Sequence, residues 1–154
     1  MAYIYPGPGS AAQVTLNLKV TGDTTGLDLP ALQNVTINAA NDVFTWTQLD
    51  SASKLQVATT ATNSLDMNIV LDQDTFFGVT TVGEAAVTAG VFGLSTGKNI
   101  VEFELYMGDE SDGGTGKTIS GSGYITGLAP TVSADSPVWV SPITITVTGD
   151  YTVA

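Results

Sequence analysis

Residues 100–107 read I-V-E-F-E-L-Y-M, so that Val101, Phe103, Leu105 and Met107 alternate with Glu102, Glu104 and Tyr106. Successive side chains of a strand point to opposite faces, and this order therefore makes one face apolar and the other acidic. A helix would scatter the same apolar residues around its circumference. The stretch is a half-buried β-strand, and its pattern recurs along the chain. Residues 14–20, V-T-L-N-L-K-V, put Val14, Leu16, Leu18 and Val20 on one side. Residues 64–71, S-L-D-M-N-I-V-L, set Leu65, Met67, Ile69 and Leu71 against Asp66 and Asn68, and residues 143–148, I-T-I-T-V-T, alternate once more.

Weaker strand signals fill the intervals. Residues 32–37 form a short strand after a connecting loop at 21–31. Residues 43–49 mix Phe44 and Trp46 with threonines, a composition suited to a pleated, half-buried surface, and residues 55–58 supply a short partner. Residues 118–126 make a strand thinned by Gly121 and Gly123, able to bend or to admit another backbone. Only residues 84–92, E-A-A-V-T-A-G-V-F, break the pattern: Val87 and Val91 stand four apart with Glu84 at the start, which predicts one short helix, weakened at Gly90 and ended at Gly93. These elements amount to a mainly β chain, a β-sandwich or barrel with one short flanking α-helix, in a single domain over residues 13–154. Ahead of it, residues 1–12 hold Pro6, Gly7, Pro8 and Gly9 behind Tyr3, Ile4 and Tyr5, which excludes a regular helix or an interior strand. This segment reads as an arm, with Tyr3, Ile4 and Tyr5 as candidates for docking on a neighbouring subunit and a frayed terminus as the competing reading.

Composition removes much chemistry. In 154 residues, fifteen Asp and Glu face four Lys and no Arg, for a net charge of −11. Such a surface repels phosphates instead of holding them by counterion release. With no His and no Cys, the commonest general base and metal ligand is missing, as are thiol nucleophiles, disulfides and thiolate metal sites. A hydrophobic fraction of 43% against 12% charged residues excludes a disordered chain. The start has neither the basic residues nor the apolar run of a signal peptide, and no stretch approaches the ~20 apolar residues of a membrane span, so a protein made in a cytoplasm and not inserted in a membrane is expected. Residues 111–118, S-D-G-G-T-G-K-T, come within one residue of a phosphate-binding loop. Ser111, however, stands where the first Gly belongs, and a strand-like sequence follows where that motif needs a helix N-terminus. Asp109, Glu110 and Asp112 lack calcium-loop spacing, and Asp72 and Asp74 read as a turn, not as paired acid and base. No catalytic residue, metal site or cofactor is implied, and the chain is not expected to be an enzyme.

The order of parts from residue 43 to residue 150 resembles the major tail tube protein of long-tailed bacteriophages. An F-T-W-T strand and loop are followed by S-L-D-M-N-I-V-L-D, a short helix and G-K-N-I-V-E-F-E-L-Y-M. The ending is S-G-S-G-Y-I-T-G-L-A-P-T-V-S-A-D-S-P-V-W-V-S-P-I-T-I-T-V-T-G-D. The resemblance implies a structural protein of the virion tail, made in the host bacterial cytoplasm. Its copies would close into hexameric rings that stack into a tube with other tail proteins, and DNA would pass through the lumen without specific binding. Joining strand edges around a ring would satisfy their open N–H and C=O groups. On that reading the candidate lumen-facing residues are Glu102, Glu104, Asp66 and Asn68. Alternation alone does not tell a lumen from a solvated outer face. Two readings from other classes stand beside it: a capsid decoration protein with residues 1–12 as its docking arm, and an Ig-like adhesin or carbohydrate-binding module presenting Trp46 or Trp139. Both tryptophans are expected in the core instead, where Trp usually buries.

Overall fold

Every alternating stretch forms a strand, and the strands join into one sheet. The computed structural model describes residues 4, 6–7, 13–29, 32–49, 53–60, 62–79, 83–109, 111, 116–135 and 137–154. In chain order the elements are β1 (Thr15–Lys19), β2 (Leu27–Leu29), β3 (Leu32–Asn38), β4 (Asn41–Thr47), β5 (Lys54–Thr60), β6 (Asn63–Val70), α1 (Gln73–Phe77), α2 (Ala85–Thr96), β7 (Val101–Met107), β8 (Lys117–Leu128) and β9 (Val140–Val153). Seven strands pair antiparallel in the order β2-β1-β7-β8-β9-β6-β3, while β4 and β5 form a hairpin of their own.

Of the two architectures expected, sandwich or barrel, the molecule takes the curled one. The edge strands β2 and β3 are separated by only residues 30 and 31, so Leu29 and Leu32 lie three peptide links apart, at most about 11 Å. One corner of each edge is thereby drawn to the other, and the sheet curls into a half-barrel with its apolar face inward. Register shifts between Ser120 and Ser122 and between Ile125 and Gly127 bend the long β8–β9 pair, as bulges do. Inside the curl, Leu16, Leu18, Leu65, Met67, Phe103 and Ile145 are among the fully buried side chains, joined by Phe76, Val91 and Leu94 from the helices.

Three local readings need correction. The loop expected at 21–31 contains β2, whose Leu27 and Leu29 pair with Leu18 and Leu16 and are buried on the core side. The Asp72–Asp74 turn is a helix start: Asp72 Oδ2 accepts from Thr75 N at 3.1 Å and Thr75 Oγ1 at 3.0 Å, capping α1, and Phe76 anchors the helix in the core. The helix α2 runs through Gly93 to Thr96 and breaks at Gly90, where φ is 66° and ψ is 175°. That break lets the backbones of the two helices touch, since a Cβ on Gly90 would lie 2.3 Å from Gly78 N. No described helix is long and apolar enough to cross a membrane.

A reciprocal clasp fixes α2 to the β1–β2 turn. Asp23 Oδ1 accepts from Ala85 N at 2.9 Å and its Oδ2 from Ala86 N at 3.1 Å, satisfying open donors of the helix start. In return Glu84 takes the amides of Thr24 (2.7 Å), Thr25 (2.8 Å) and Gly26, and the Thr25 hydroxyl at 3.0 Å. The amides of Thr25 and Gly26 hold the Glu84 carboxyl down at about 2, against a smaller opposing effect of burial.

Candidate functional site

The curl leaves the other face of the seven-stranded sheet polar from edge to edge. Registers align its residues in rows across the strands. One row runs Lys19, Glu102, Ser122, Thr148, and the next Asn17, Glu104, Ser120, Thr152. Further along, Tyr124, Thr146, Ser64 and Asn38 form a third row, and Thr144, Asp66 and Thr36 a fourth. Glu102, Glu104, Asp66 and Asn68 thus share a single face. They do so because β7 and β6 belong to one unbroken sheet in the same alternation.

Their chemical roles differ. Glu102 and Glu104 are exposed, and Glu104 Oε1 meets Lys19 Nζ at 3.2 Å, a diagonal cross-strand pair. Asp66 is tied down: Asn38 Nδ2 donates to it at 2.9 Å, Ser64 Oγ at 3.1 Å and Thr144 Oγ1 at 3.0 Å. Asn68 Nδ2 donates to Asn34 Oδ1 at 3.1 Å, extending the network onto β3. Beneath it Tyr151 donates to the Asn38 carbonyl at 2.7 Å, its phenol pushed up by burial and by the negative charge of Asp66. The face is therefore a mat of hydroxyls and amides carrying few cations.

Sequence reasoning missed a second surface. Both tryptophans lie outside the core, Trp46 at 37% and Trp139 at 52% exposure. Trp46 sits on the β4–β5 hairpin, whose described side chains are nearly all exposed because the hairpin leaves the sheet and packs on neither of its faces. Trp139 precedes β9 and borders an apolar cleft with Leu71, Phe77 and Pro130. The high apolar and aromatic content of residues 43–49 was the available signal. Of the arm, Tyr3 and Tyr5 lie outside the described residues, and Ile4 is exposed. Pro6 and Gly7 border a groove at the seam between β1, β2 and β3, with Val14, Leu29 and Leu32. The phosphate-loop lookalike is followed by strand β8 from Lys117, not by a helix.

Neither a protein-family model nor a curated protein matches the chain. Solved structures do. The tail of an empty gene transfer agent particle superposes with a TM-score of 0.61 at 12% identity, covering 96% of this chain and 98% of that one. The SPP1 tail tube gives 0.59 at 14% identity, over 91% and 75%. The sheath-tube complex of an extracellular contractile injection system, PVC, in its extended state gives 0.57 at 10% identity, over 92% and 87%. At such identities the likeness is one of fold, and the fold this chain carries is that of phage and phage-like tail tubes.

Proposed function

We propose that the chain is a structural, non-catalytic subunit of a virion tail, made in the host bacterial cytoplasm, whose copies close into six-membered rings and stack into a tube with other tail proteins. The observation that carries this reading is the polar face running unbroken across a sheet with two open edges, β2 and β3. An exposed edge is a template for another chain, and ring closure removes both edges at once. Six-fold order is supported by the C6 symmetry of the gene transfer agent tail. Residues 1–12, with Tyr3, Ile4 and Tyr5, would then reach a neighbouring ring.

The same face, turned to the lumen, suits the passage of DNA. Every copy contributes Glu102 and Glu104, of which one is matched by Lys19, beside Asp66 and Asn68 and rows of Ser and Thr. Phosphates meet no Arg anywhere in the chain, so they gain little affinity and the duplex slides with little friction.

Electron microscopy of the purified, concentrated protein is expected to show rings or tubes of uniform diameter. A strictly monomeric species under all conditions, including seeding with tail initiators, overturns the reading. Phage carrying Glu102→Lys with Glu104→Lys should assemble intact tubes yet deliver their genomes slowly, more so at low salt. Normal infectivity of such phage removes this face from the lumen.

A further inference from the structure

The strand β2 has three residues and lies at one end of the strand order, with β1 as its pairing partner. Its two ends are fixed by different means. Leu29 is joined to β3 through residues 30 and 31, a covalent tie. Leu27 leaves a turn that has positive φ at Gly22 (102°) and Gly26 (73°), and short edge segments of this kind are the first parts of a fold to open. What ties that turn to the helix layer is the Asp23–Glu84 clasp. Asp23 closes its own turn, its N–H donating to the Val20 carbonyl at 2.9 Å and its Oδ2 accepting from Val20 N at 3.0 Å, while both its oxygens take the first amides of α2. Glu84 reaches back to Thr24, Thr25 and Gly26, the three residues before β2. Six amides and one hydroxyl thus converge on two carboxylates. A further hold, from Asn17 Nδ2 to the Thr25 carbonyl at 2.8 Å and to Asp28 Oδ1 at 2.6 Å, comes from β1 and moves with the β1–β2 pair.

We infer that the Asp23–Glu84 clasp is a latch that presents β2 as a pairing edge, so that a copy with its clasp open stays folded yet cannot close a ring at that edge. The inference rests on the tube reading and assigns control of one of its joints. Two observations carry it. The clasp grips residues 23–26 immediately before Leu27, at the end of β2 away from its link to β3. An edge is a template only where its row of N–H and C=O groups is held extended, and freeing one end of a three-residue strand leaves too short a row. The second observation is that the core stands on other elements. Leu16 and Leu18 of β1, Leu65 and Met67 of β6 and Phe103 of β7 are fully buried, whereas the side chains that β2 itself sends inward are Leu27 and Leu29. The opposite edge keeps its support as well, since β3 is paired with β6 from Leu32 to Asn38. Opening the clasp therefore removes one edge of the two. Such a copy still accepts a neighbour on β3 and offers nothing to the next on β2.

Glu84→Ala removes the acceptor of three amides and opens the clasp. The variant alone is expected to keep the circular dichroism spectrum of the parent and to form no closed rings. Mixed with the unaltered chain, it should act as a chain terminator, because it joins a growing ring through β3 and stops it there. With one variant copy in four and rings of six, closed rings should fall to about a fifth, the share that contains no variant, and electron microscopy should show open arcs. Asp23→Ala, which opens the clasp from its other side, should do the same. Closed tubes at parental yield from either variant alone overturn the latch and leave the tube reading standing. A variant that does not assemble but leaves the yield of the unaltered chain untouched in the mixture also overturns it, whether that variant is folded or not, for the carboxylates then serve the fold alone. Failure of the unaltered chain to assemble under every condition takes down the tube reading together with the latch.

Discussion

Glu84 shows what one carboxylate can do when the backbone is arranged around it. Its neighbours in the β1–β2 turn offer three amides and a hydroxyl, and they stabilise the ionised form, lowering its titration from 4.5 to about 2. A carboxylate depressed on folding adds stability that is fully present above its unfolded value and is lost as pH falls through the folded one. The attachment of α2 to the turn should therefore weaken between about pH 4.5 and pH 2. Hydrogen exchange of the α2 amides across that range is expected to show faster opening toward acid. In Glu84→Gln that pH dependence should shrink and opening should be faster already at neutral pH; identical profiles for the two proteins would dismiss the clasp. By contrast the Lys19–Glu104 pair lies on an exposed face, where such a bridge is worth about 1 kcal/mol or less, so its importance is for the charge of the face and not for the fold.

Among the elements, α1 and α2 depend on a crossing of two glycines. Gly78 and Gly90 both have positive φ, 85° and 66°, and each would place a Cβ within 2.3 Å of the other helix's backbone. An L-residue is strained in that region, and here the neighbouring backbone cannot give way. Gly90→Ala should cost more than about 2 kcal/mol in chemical denaturation, a combination of positive φ and overpacking. A loss under about 0.5 kcal/mol would show that the helices re-dock freely. A softer contact holds at Gly121, whose absent side chain leaves room for the Phe103 ring, 2.9 Å from where a Cβ would stand. The glycines that thin β8 thus serve the core as well as the bend.

For the whole molecule, assembly must overcome the repulsion of many acidic copies. Each subunit carries −11, and a ring concentrates that charge. Screening shortens its reach to ~10 Å at 0.1 M salt and ~3 Å at 1 M. The joints proposed for the ring are strand edges, whose backbone hydrogen bonds salt does not weaken. Light scattering is therefore expected to report faster and more complete assembly as salt rises from low to moderate concentration. Disassembly over the same range would mean that ion pairs hold the copies together, and would contradict the pairing of strand edges.

The alternation in residues 14–20, 64–71, 100–107 and 143–148 determined strand identity and which side chains face the core, because the period of two is a property of the backbone itself. It also determined that Glu102, Glu104, Asp66 and Asn68 leave the core, and the charge balance is a matter of counting. Sheet order was beyond it. That Lys19 meets Glu104, or that Thr144 reaches Asp66, depends on pairings 85 and 78 residues apart, which no local signal encodes. The three-residue β2 becomes a strand only because Leu16 and Leu18 are already placed beside it, and the five-residue α1 is too short to show a period, though Asp72 and Thr75 held its cap. Trp46 and Trp139 were misplaced for a related reason: a residue's type states how much it gains from burial, while the tertiary structure decides whether any partner is there to bury it. Here the β4–β5 hairpin leaves the sheet with Trp46, and Trp139 stands just ahead of β9 at the border of an open cleft, so neither ring meets enough of the core to be buried.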